Sequence, residues 1–261
     1  IPDYDVVLVK YSPAGVQEWI SYYRGAREGF DVGSALAIDA AGNVYITGAT
    51  QKGRVDDISI ELFLAKFSPK GIVLWAQTYG DGEGPFGFAY GAAIELASIG
   101  NPIIAGAAGV NTIVAKYTST GSRVWLARTG TGGVLSGNST RLAVDAGGNT
   151  YVAGVAGDAI ITYKYDPSGR EMWQAPYAVD RFGADVRGLA LDAQGNTYML
   201  AETFDGASTV KFGPDGTRIW EMKREEAEGF FSPVGLGLDG AGNVFVAGTI
   251  DGFGATEAIV A

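Results

Sequence analysis

The sequence contains no cysteine and no histidine. Without cysteine the chain has no disulfide, no thiolate metal ligand and no thiol nucleophile. Without histidine it lacks the commonest general base and metal ligand, which excludes Ser-His-Asp, Cys-His and His-zinc mechanisms. We therefore expect no cofactor and no metal, and we assign no catalytic residue.

Basic residues and long apolar runs are also scarce. The 19 lysines and arginines stand against 29 acidic residues, which gives a net charge of −10. This charge repels phosphate backbones and anionic lipids. The sequence contains no run of 18 apolar residues, which is the length that a transmembrane helix would need. We expect no nucleic-acid partner and no membrane span.

Glycine, in contrast, is abundant. The 40 glycines, with only 9 prolines, indicate many tight turns, and a hydrophobic content of 47% is enough for a core. Apolar residues nowhere keep a helical period over three turns, so we predict less than about a tenth helix. A length of 261 residues is ordinary for one β domain, and we assign residues 1–261 to a single domain, whether or not it belongs to a longer polypeptide.

One marker recurs five times, at intervals of 47 to 56 residues. It is a lysine followed by an aromatic residue, with a glycine five residues after the lysine and a tryptophan four residues later. The lysines are Lys10, Lys66, Lys116, Lys164 and Lys211, and the tryptophans are Trp19, Trp75, Trp125, Trp173 and Trp220. Such a fixed period indicates a repeat architecture. We predict that the tryptophans pack one repeat against the next from equivalent strands.

A second marker, Gly-Asn, recurs once in each repeat, beginning with Gly42 and Asn43. It separates two alternating apolar runs and predicts a β-hairpin, strands A and B. The lysine and tryptophan runs form a second hairpin, strands C and D, around the turn glycine. An aspartate precedes four of the five Gly-Asn pairs, at Asp39, Asp145, Asp192 and Asp239. We expect it to accept backbone hydrogen bonds in the A–B turn, since the alternative, a calcium loop, requires clustered acidic spacing. In the second repeat this aspartate is missing, and residues 97–99 (Ala-Ser-Ile) stand in its place. We therefore predict an altered A–B turn there.

Four short antiparallel strands in each repeat predict an all-β propeller of four-stranded blades. The chain opens with a C–D hairpin at residues 6–23 and ends with an A–B hairpin at residues 234–248. Pairing residues 6–10 with residues 244–247 would close a ring of five blades and remove exposed edges. Residues 257–261 repeat the start of a C strand, which leaves three alternatives: a closed ring in which this strand is surplus or displaces residues 6–10, a piece of a larger ring, or self-assembly by strand exchange.

The segments TYKYDPSGREMW (162–173) and LALDAQGNTYML (189–200) resemble the SBBP, or bacterial β-propeller, repeat. The resemblance covers nearly the whole chain. It implies an exported or cell-surface prokaryotic module without assigned chemistry, and it transfers no catalytic residue.

The D–A connections between repeats are the longest recurring loops, and loops on a rigid scaffold commonly carry binding residues. Their aromatic, carboxylate and guanidinium groups suit a sugar or a peptide. The predicted binding residues are Arg27, Phe30, Asp31, Phe86, Phe88, Arg181, Phe182, Asp185, Arg187 and Phe230. In the alternative interpretation the phenylalanines fill gaps between blades and the charges face water.

We therefore predict a non-enzymatic binding or structural scaffold with a protein or glycan partner. Because the loops differ between repeats, it would have one asymmetric site or none. The alternative is a glycan lyase or hydrolase at the channel mouth that uses carboxylates such as Asp31, Asp185 and Glu228. Such a pair would have to lie roughly 5 to 9.5 Å apart.

Overall fold

The computed structural model describes residues 4–25, 29–52, 59–80, 89–109, 111–129, 140–179, 184–204, 206–224, 230–252 and 255–260. These residues form antiparallel β-strands joined by turns, and their single helical element is a three-residue 3-10 turn, Ser98–Gly100. The prediction of a strand-dominated chain is confirmed. No helix in these ranges is long and apolar enough to cross a membrane.

The chain forms two compact units, residues 1–129 and residues 130–261. The first unit contains a two-stranded sheet and two four-stranded sheets. Its strands are β1 (Val6–Tyr11), β2 (Gln17–Tyr23), β3 (Asp31–Ile38), β4 (Val44–Lys52), β5 (Ser59–Phe67), β6 (Val73–Tyr79), β7 (Ala89–Ala97), β8 (Asn101–Ala108), β9 (Asn111–Tyr117) and β10 (Arg123–Thr129).

The second unit contains two four-stranded sheets and a three-stranded sheet. Its strands are β11 (Arg141–Val144), β12 (Thr150–Ala156), β13 (Ala159–Tyr165), β14 (Glu171–Ala178), β15 (Asp185–Leu191), β16 (Thr197–Thr203), β17 (Gly206–Phe212), β18 (Arg218–Arg224), β19 (Phe230–Leu238), β20 (Val244–Gly252) and β21 (Ala255–Val260). That all these repeats belong to a single domain over residues 1–261 stays a prediction.

Each complete sheet is a meander in which consecutive strands pair, in the predicted order A, B, C, D. The A–B and C–D turns therefore lie at one end of each sheet, which we call the turn end. The D–A and B–C connections lie at the opposite end, which we call the loop end. Apolar side chains of neighbouring sheets form the cores, around residues such as Leu64 and Ile104 in the first unit and Met199 and Val210 in the second.

Closure of the ring by pairing residues 6–10 with residues 244–247 would join the two units and stays a prediction. Within the second unit, the outer edge of β20 pairs with β21 from Ala247 to Gly252. The C-like strand thus lies on the edge predicted for β1, as one of the alternatives anticipated. A hairpin partner that begins three residues after β20 ends costs far less chain entropy to bring into place than a strand at the other end of the chain.

Candidate functional site

The A–B turns at the turn end share one hydrogen-bond arrangement. In the fourth repeat, Asp192 accepts bonds from the backbone N–H groups of Gln194 and Asn196, at 3.0 and 2.8 Å, and from the Asn196 amide at 2.7 Å. The aspartates Asp39, Asp145 and Asp239 repeat this pattern. The predicted role of the aspartates is confirmed. No group of three acidic residues in the described ranges could hold a metal ion.

The recurring lysine completes this turn. Lys211 Nζ lies 4.8 Å from the centre of the Tyr198 ring and 3.7 Å from Asp192 Oδ2, and the Tyr198 hydroxyl donates to the same aspartate at 3.0 Å. Lys66 stands in the same way over Tyr45, at 4.8 Å. The positive charge of a lysine in this position is stabilised by both the carboxylate and the aromatic face. The lysine is therefore part of the scaffold.

The tryptophans join neighbouring sheets, as predicted. Trp19 Nε1 donates to the carbonyl of Pro69 in the next sheet at 3.0 Å, and Trp173 donates to Pro214 at 2.9 Å. The ring also covers the turn glycine of the next sheet, because a Cβ atom on Gly71 would lie 2.8 Å from the Trp19 ring. Gly71 has a φ of +78°, so it is required both for backbone conformation and for this contact. One repeat unit thereby fixes the next.

The second repeat departs from this pattern at the predicted position. Its A–B connection is the 3-10 turn Ser98–Gly100, in which Ile99 adopts a φ of 69° although it is β-branched. Asn101, which has no aspartate to bond, accepts instead from the backbone N–H of Ser119 at 3.0 Å. The prediction of an altered turn is confirmed.

At the loop end of the second unit the inner strand β15 carries a β-bulge. The register shifts between Val186 and Gly188, which leaves Arg187 as the extra residue. Bulges re-aim a side chain and are common beside functional sites. The inner strands β3, β7 and β19 have the same bulge, at Ser34, Ala92 and Val234. Among these four strands, a charge is placed at the bulge in β15 alone.

Arg187 is held by two carboxylates. Its Nη2 atom lies 3.0 Å from Asp185 Oδ2 and 2.5 Å from Glu202 Oε2, and its Nε donates to Glu202 at 2.7 Å. The hydroxyl of Ser232, on β19, donates to the other oxygen of Glu202 at 2.6 Å. The Arg187 side chain is 35% exposed, whereas the side chains of Asp185 and Glu202 are 19% and 9% exposed. The carboxylates are therefore more buried than the arginine that they hold.

Two pKa shifts indicate that this network is partly desolvated. Burial raises the pKa of Asp185, although Arg187 opposes the shift. Burial likewise lowers the pKa of Arg141, whose Nη1 donates to the carbonyl of Thr140 at 3.1 Å. Oppositely charged groups with shifted pKa values, close together at one end of a scaffold, are typical of a binding or catalytic site.

The first unit has a different polar group at its loop end. Asp31 is buried at the start of β3 and accepts a hydrogen bond from the backbone N–H of Gly25 at 2.6 Å. Burial, with a contribution from Asp31, raises the pKa of Tyr23 to about 12. The side chain of Gln51 accepts from the N–H of Phe30 at 3.3 Å. This arrangement fastens the D–A connection to the sheet.

The structure thus brings Asp185 and Arg187 together in one network and places Phe30 and Asp31 in another. Phe230 is described only as the first residue of β19. The remaining predicted residues, Arg27, Phe86, Phe88, Arg181 and Phe182, lie outside the described residues, as does Glu228 of the alternative pair.

Sequence reasoning missed Glu202, Ser232 and Arg141. Glu202 held a visible signal, because the same position of the other B strands carries small or apolar residues or a threonine, at Ala49, Ala107, Val155 and Thr249. A charge at such a position needs a partner. Nothing comparable marks Ser232, whose role depends on the packing of β19 beside β16.

Comparison with solved structures identifies the class of fold. The Dos1 propeller is similar with a TM-score of 0.56 and 9% identity, over 92% of this chain and 55% of that chain. A catalytically inactive histidine-to-alanine variant of virginiamycin B lyase from Staphylococcus aureus, solved with quinupristin, is similar with a TM-score of 0.55 and 10% identity, over 97% of this chain and 86% of that chain.

The chain therefore has a β-propeller fold built from four-stranded antiparallel blades. At these identities the likeness concerns the fold alone. No family model matches the sequence. No curated protein matches it either.

Proposed function

We propose that this protein is a non-enzymatic propeller scaffold, exported to the cell surface, which binds a glycan or a peptide at its loop end. One observation carries the proposal: at the loop end of the second unit, the partly exposed side chain of Arg187 is held by the less exposed carboxylates of Asp185 and Glu202. A planar cation fixed in this way is suited to a carboxylate or to several hydroxyl oxygens.

Export and a cell-surface location rest on the resemblance of the repeats to SBBP units. They are tested by surface labelling and fractionation of the source cells. A pool confined to the cytosol would contradict this part of the proposal and leave the binding site untouched.

The absence of histidine supports a non-enzymatic role. The solved lyase was made inactive by replacing a histidine, and this chain has none that could take such a part.

The binding test uses glycan and peptide arrays with the wild-type chain and the variant Arg187→Gln. We expect hits that weaken by roughly tenfold or more in the variant, because a charge-assisted contact is lost. The matched control is Arg170→Gln, which removes an exposed arginine from the C–D turn of the same unit, where it pairs with Asp166. Circular dichroism verifies that each variant is folded.

Equal binding by the wild type and Arg187→Gln would show that the ligand is bound elsewhere. Arrays without any hit would remove ligand binding and leave a purely structural scaffold.

A carboxylate-based hydrolase or lyase is the second candidate, favoured by one distance. Asp185 Oδ2 and Glu202 Oε2 both contact Arg187 Nη2, so they lie within about 5.5 Å of each other, the sum of those two distances. This upper limit admits the separation of roughly 5 to 5.5 Å that retaining glycosidases use, and the raised pKa of Asp185 would suit an acid.

The enzymatic candidate is tested by incubating a polysaccharide panel with the wild type, Asp185→Asn and Glu202→Gln. Our proposal expects no release of reducing ends or unsaturated products from any of them. Turnover by the wild type that disappears in either variant would replace the binding scaffold with the enzyme.

A further inference from the structure

An exposed aromatic residue lies next to the ion network at the loop end of the second unit. Phe204 directly follows β16, and the pair Thr203 and Gly206 closes the connection to β17. The Phe204 residue is 72% exposed. In the second and third repeats the residue that directly follows the B strand is a glycine, Gly109 and Gly157. The B–C connection therefore does not depend on a large apolar side chain at this position.

The position of this ring along β16 brings it within reach of the network. Glu202 lies opposite Asp185 on β15 and accepts a hydrogen bond from Arg187 Nε at 2.7 Å. Phe204 is two residues further along the chain, so its Cα atom lies at most about 7 Å from that of Glu202. A single exposed aromatic residue is ordinary on a protein surface. Here, however, a short ligand that bonds to Arg187 and Glu202 can also contact the ring.

All the groups that form this surface belong to the second unit. The sheet β15–β18 packs on the sheet β11–β14 through residues such as Ile160 and Val186. Its opposite face packs on the sheet β19–β21 through residues such as Leu200 and Phe231. Both faces of the sheet are thus covered by neighbours from the same unit, and the network and the ring lie together at its loop end.

The charges of the network cancel, which bears on the charge of the ligand. Arg187 contacts Asp185 and Glu202, and Arg141 Nε donates to the Arg187 carbonyl at 3.4 Å. Two arginines thus stand beside two carboxylates, in a chain with a net charge of −10. An anionic ligand gains no net attraction from such a group and is repelled by the chain as a whole. A neutral ligand is therefore favoured.

The hydrogen-bonding groups of the network match the hydroxyls of a sugar. Nη1 of Arg187 donates to none of the described residues, so its N–H groups can donate to a ligand. Glu202 accepts from Arg187 and from the hydroxyl of Ser232, and a carboxylate has about four acceptor positions in all. Because a hydroxyl both donates and accepts, neighbouring sugar hydroxyls can bond to Arg187 and Glu202 together. The C–H groups on the face of the sugar ring can be buried against Phe204.

We propose that the loop end of the second unit binds a neutral carbohydrate, with Phe204 as the platform for a sugar ring and Arg187 and Glu202 as partners of its hydroxyls. The inference rests on the proposed function and narrows its ligand from a glycan or a peptide to a neutral glycan. A sugar ring carries an apolar face and adjacent hydroxyls in one rigid unit. A neutral peptide would have to supply these groups from separate flexible side chains, at the cost of ordering them.

The test compares the wild type with Phe204→Ala on arrays that hold neutral glycans, acidic glycans and peptides. We expect hits among the neutral glycans. The affinity for a soluble hit, measured by calorimetry, should fall by about tenfold in Phe204→Ala, because the burial of the ring face is lost. Phe204→Tyr keeps an aromatic face and should retain the affinity. The matched control is Ile219→Ala, which removes a 55% exposed apolar side chain from β18 of the same sheet.

Ionic strength provides a second readout, which is independent of the variants. The affinity for a neutral glycan should stay the same from low to high salt, because no net charge is brought to the site. An acidic ligand would instead respond to salt, since salt screens its interaction with the charges of the chain. A steep dependence of the affinity on salt would contradict a neutral ligand.

The outcomes separate this inference from the function on which it rests. Hits confined to acidic glycans or peptides that weaken in Arg187→Gln would overturn the neutral carbohydrate and leave the proposed binding site in place. Equal affinity of the wild type and Phe204→Ala for a neutral glycan would overturn the aromatic platform. Arrays without any hit would remove both the ligand binding and this inference.

Discussion

The turn ends and the loop ends of the blades use the same strands for different purposes. At the turn ends, Asp192, Asn196 and Lys211 have counterparts in other repeats, and these three residues bond to one another within the scaffold. At the loop ends, Asp31 fastens a connection in one unit, and Arg187 heads an ion network in the other. Repetition therefore marks what holds the blades together, and variation marks the loop ends, where we propose that a ligand binds.

The two ends also treat carboxylates in opposite ways. Burial alone would raise the pKa of Asp192, but hydrogen bonds from Asn196 and Tyr198 outweigh it and hold the pKa below its usual value. Asp185, in contrast, has its pKa raised by burial. A carboxylate that accepts several hydrogen bonds stabilises the fold. A desolvated carboxylate beside a cation is more typical of a functional site.

The largest effect should come from the turn glycine beneath a tryptophan. Gly71→Ala introduces a side chain at a φ of +78° and into contact with the Trp19 ring. We expect it to lower the free energy of unfolding by about 3 kcal/mol. Gly15→Ala is the control, because Gly15 has a φ of +77° and nothing within 4 Å, so it should lose only about 1 kcal/mol. Urea unfolding measures both, and equal losses would show that the ring contact contributes nothing.

Removal of a turn aspartate should come next. Asp192→Ala leaves the N–H groups of Gln194 and Asn196 without their acceptor and should lower the free energy of unfolding by about 2 kcal/mol. The loss should shrink in acid, because a carboxylate with a depressed pKa stabilises the fold above its unfolded pKa of about 3.9 and ceases to do so as pH falls through its folded value. A loss that does not depend on pH would mean that the charge of Asp192 is irrelevant.

The irregular turn of the second repeat should respond in the opposite direction. Ile99 is β-branched, and its φ of 69° strains the backbone. Ile99→Gly removes this strain and should raise the free energy of unfolding by about 1 kcal/mol. Ile99 is 88% exposed, so no packing is lost. The control is Ile72→Gly, at an exposed isoleucine whose φ is not positive, where a small loss is expected. A loss at both positions would contradict the assignment of strain to Ile99.

How far the sequence predicts the structure follows the same division. The turn ends were predictable because a lysine, a glycine and a tryptophan at fixed spacing act on neighbouring repeats. The inner strand β3 begins at Asp31, and spacing does not mark this start because the bulge at Ser34 interrupts the period of two. The network of Arg187, Glu202 and Ser232 joins three strands through tertiary packing, which spacing along the chain does not record. The sequence also left open which strand pairs with the outer edge of β20, and the structure has β21 there from Ala247 to Gly252.

The smallest effect, and the sharpest test of the comparison, concerns the sign of the pH dependence at Asp185. Because its folded pKa is raised, the carboxyl contributes stability when protonated, below its unfolded pKa, and that contribution is lost as pH rises through the folded value. Asp185→Asn should therefore make the protein slightly more stable than the wild type at neutral pH, and the gain should vanish as pH falls to about 4. Asp192→Asn, in a turn, should show a loss at neutral pH that shrinks in acid. Thermal unfolding of both variants from acid to neutral pH gives the two slopes. Slopes of the same sign would mean that the loop-end carboxylate is one more structural acceptor, and the physical distinction between the two ends would fail.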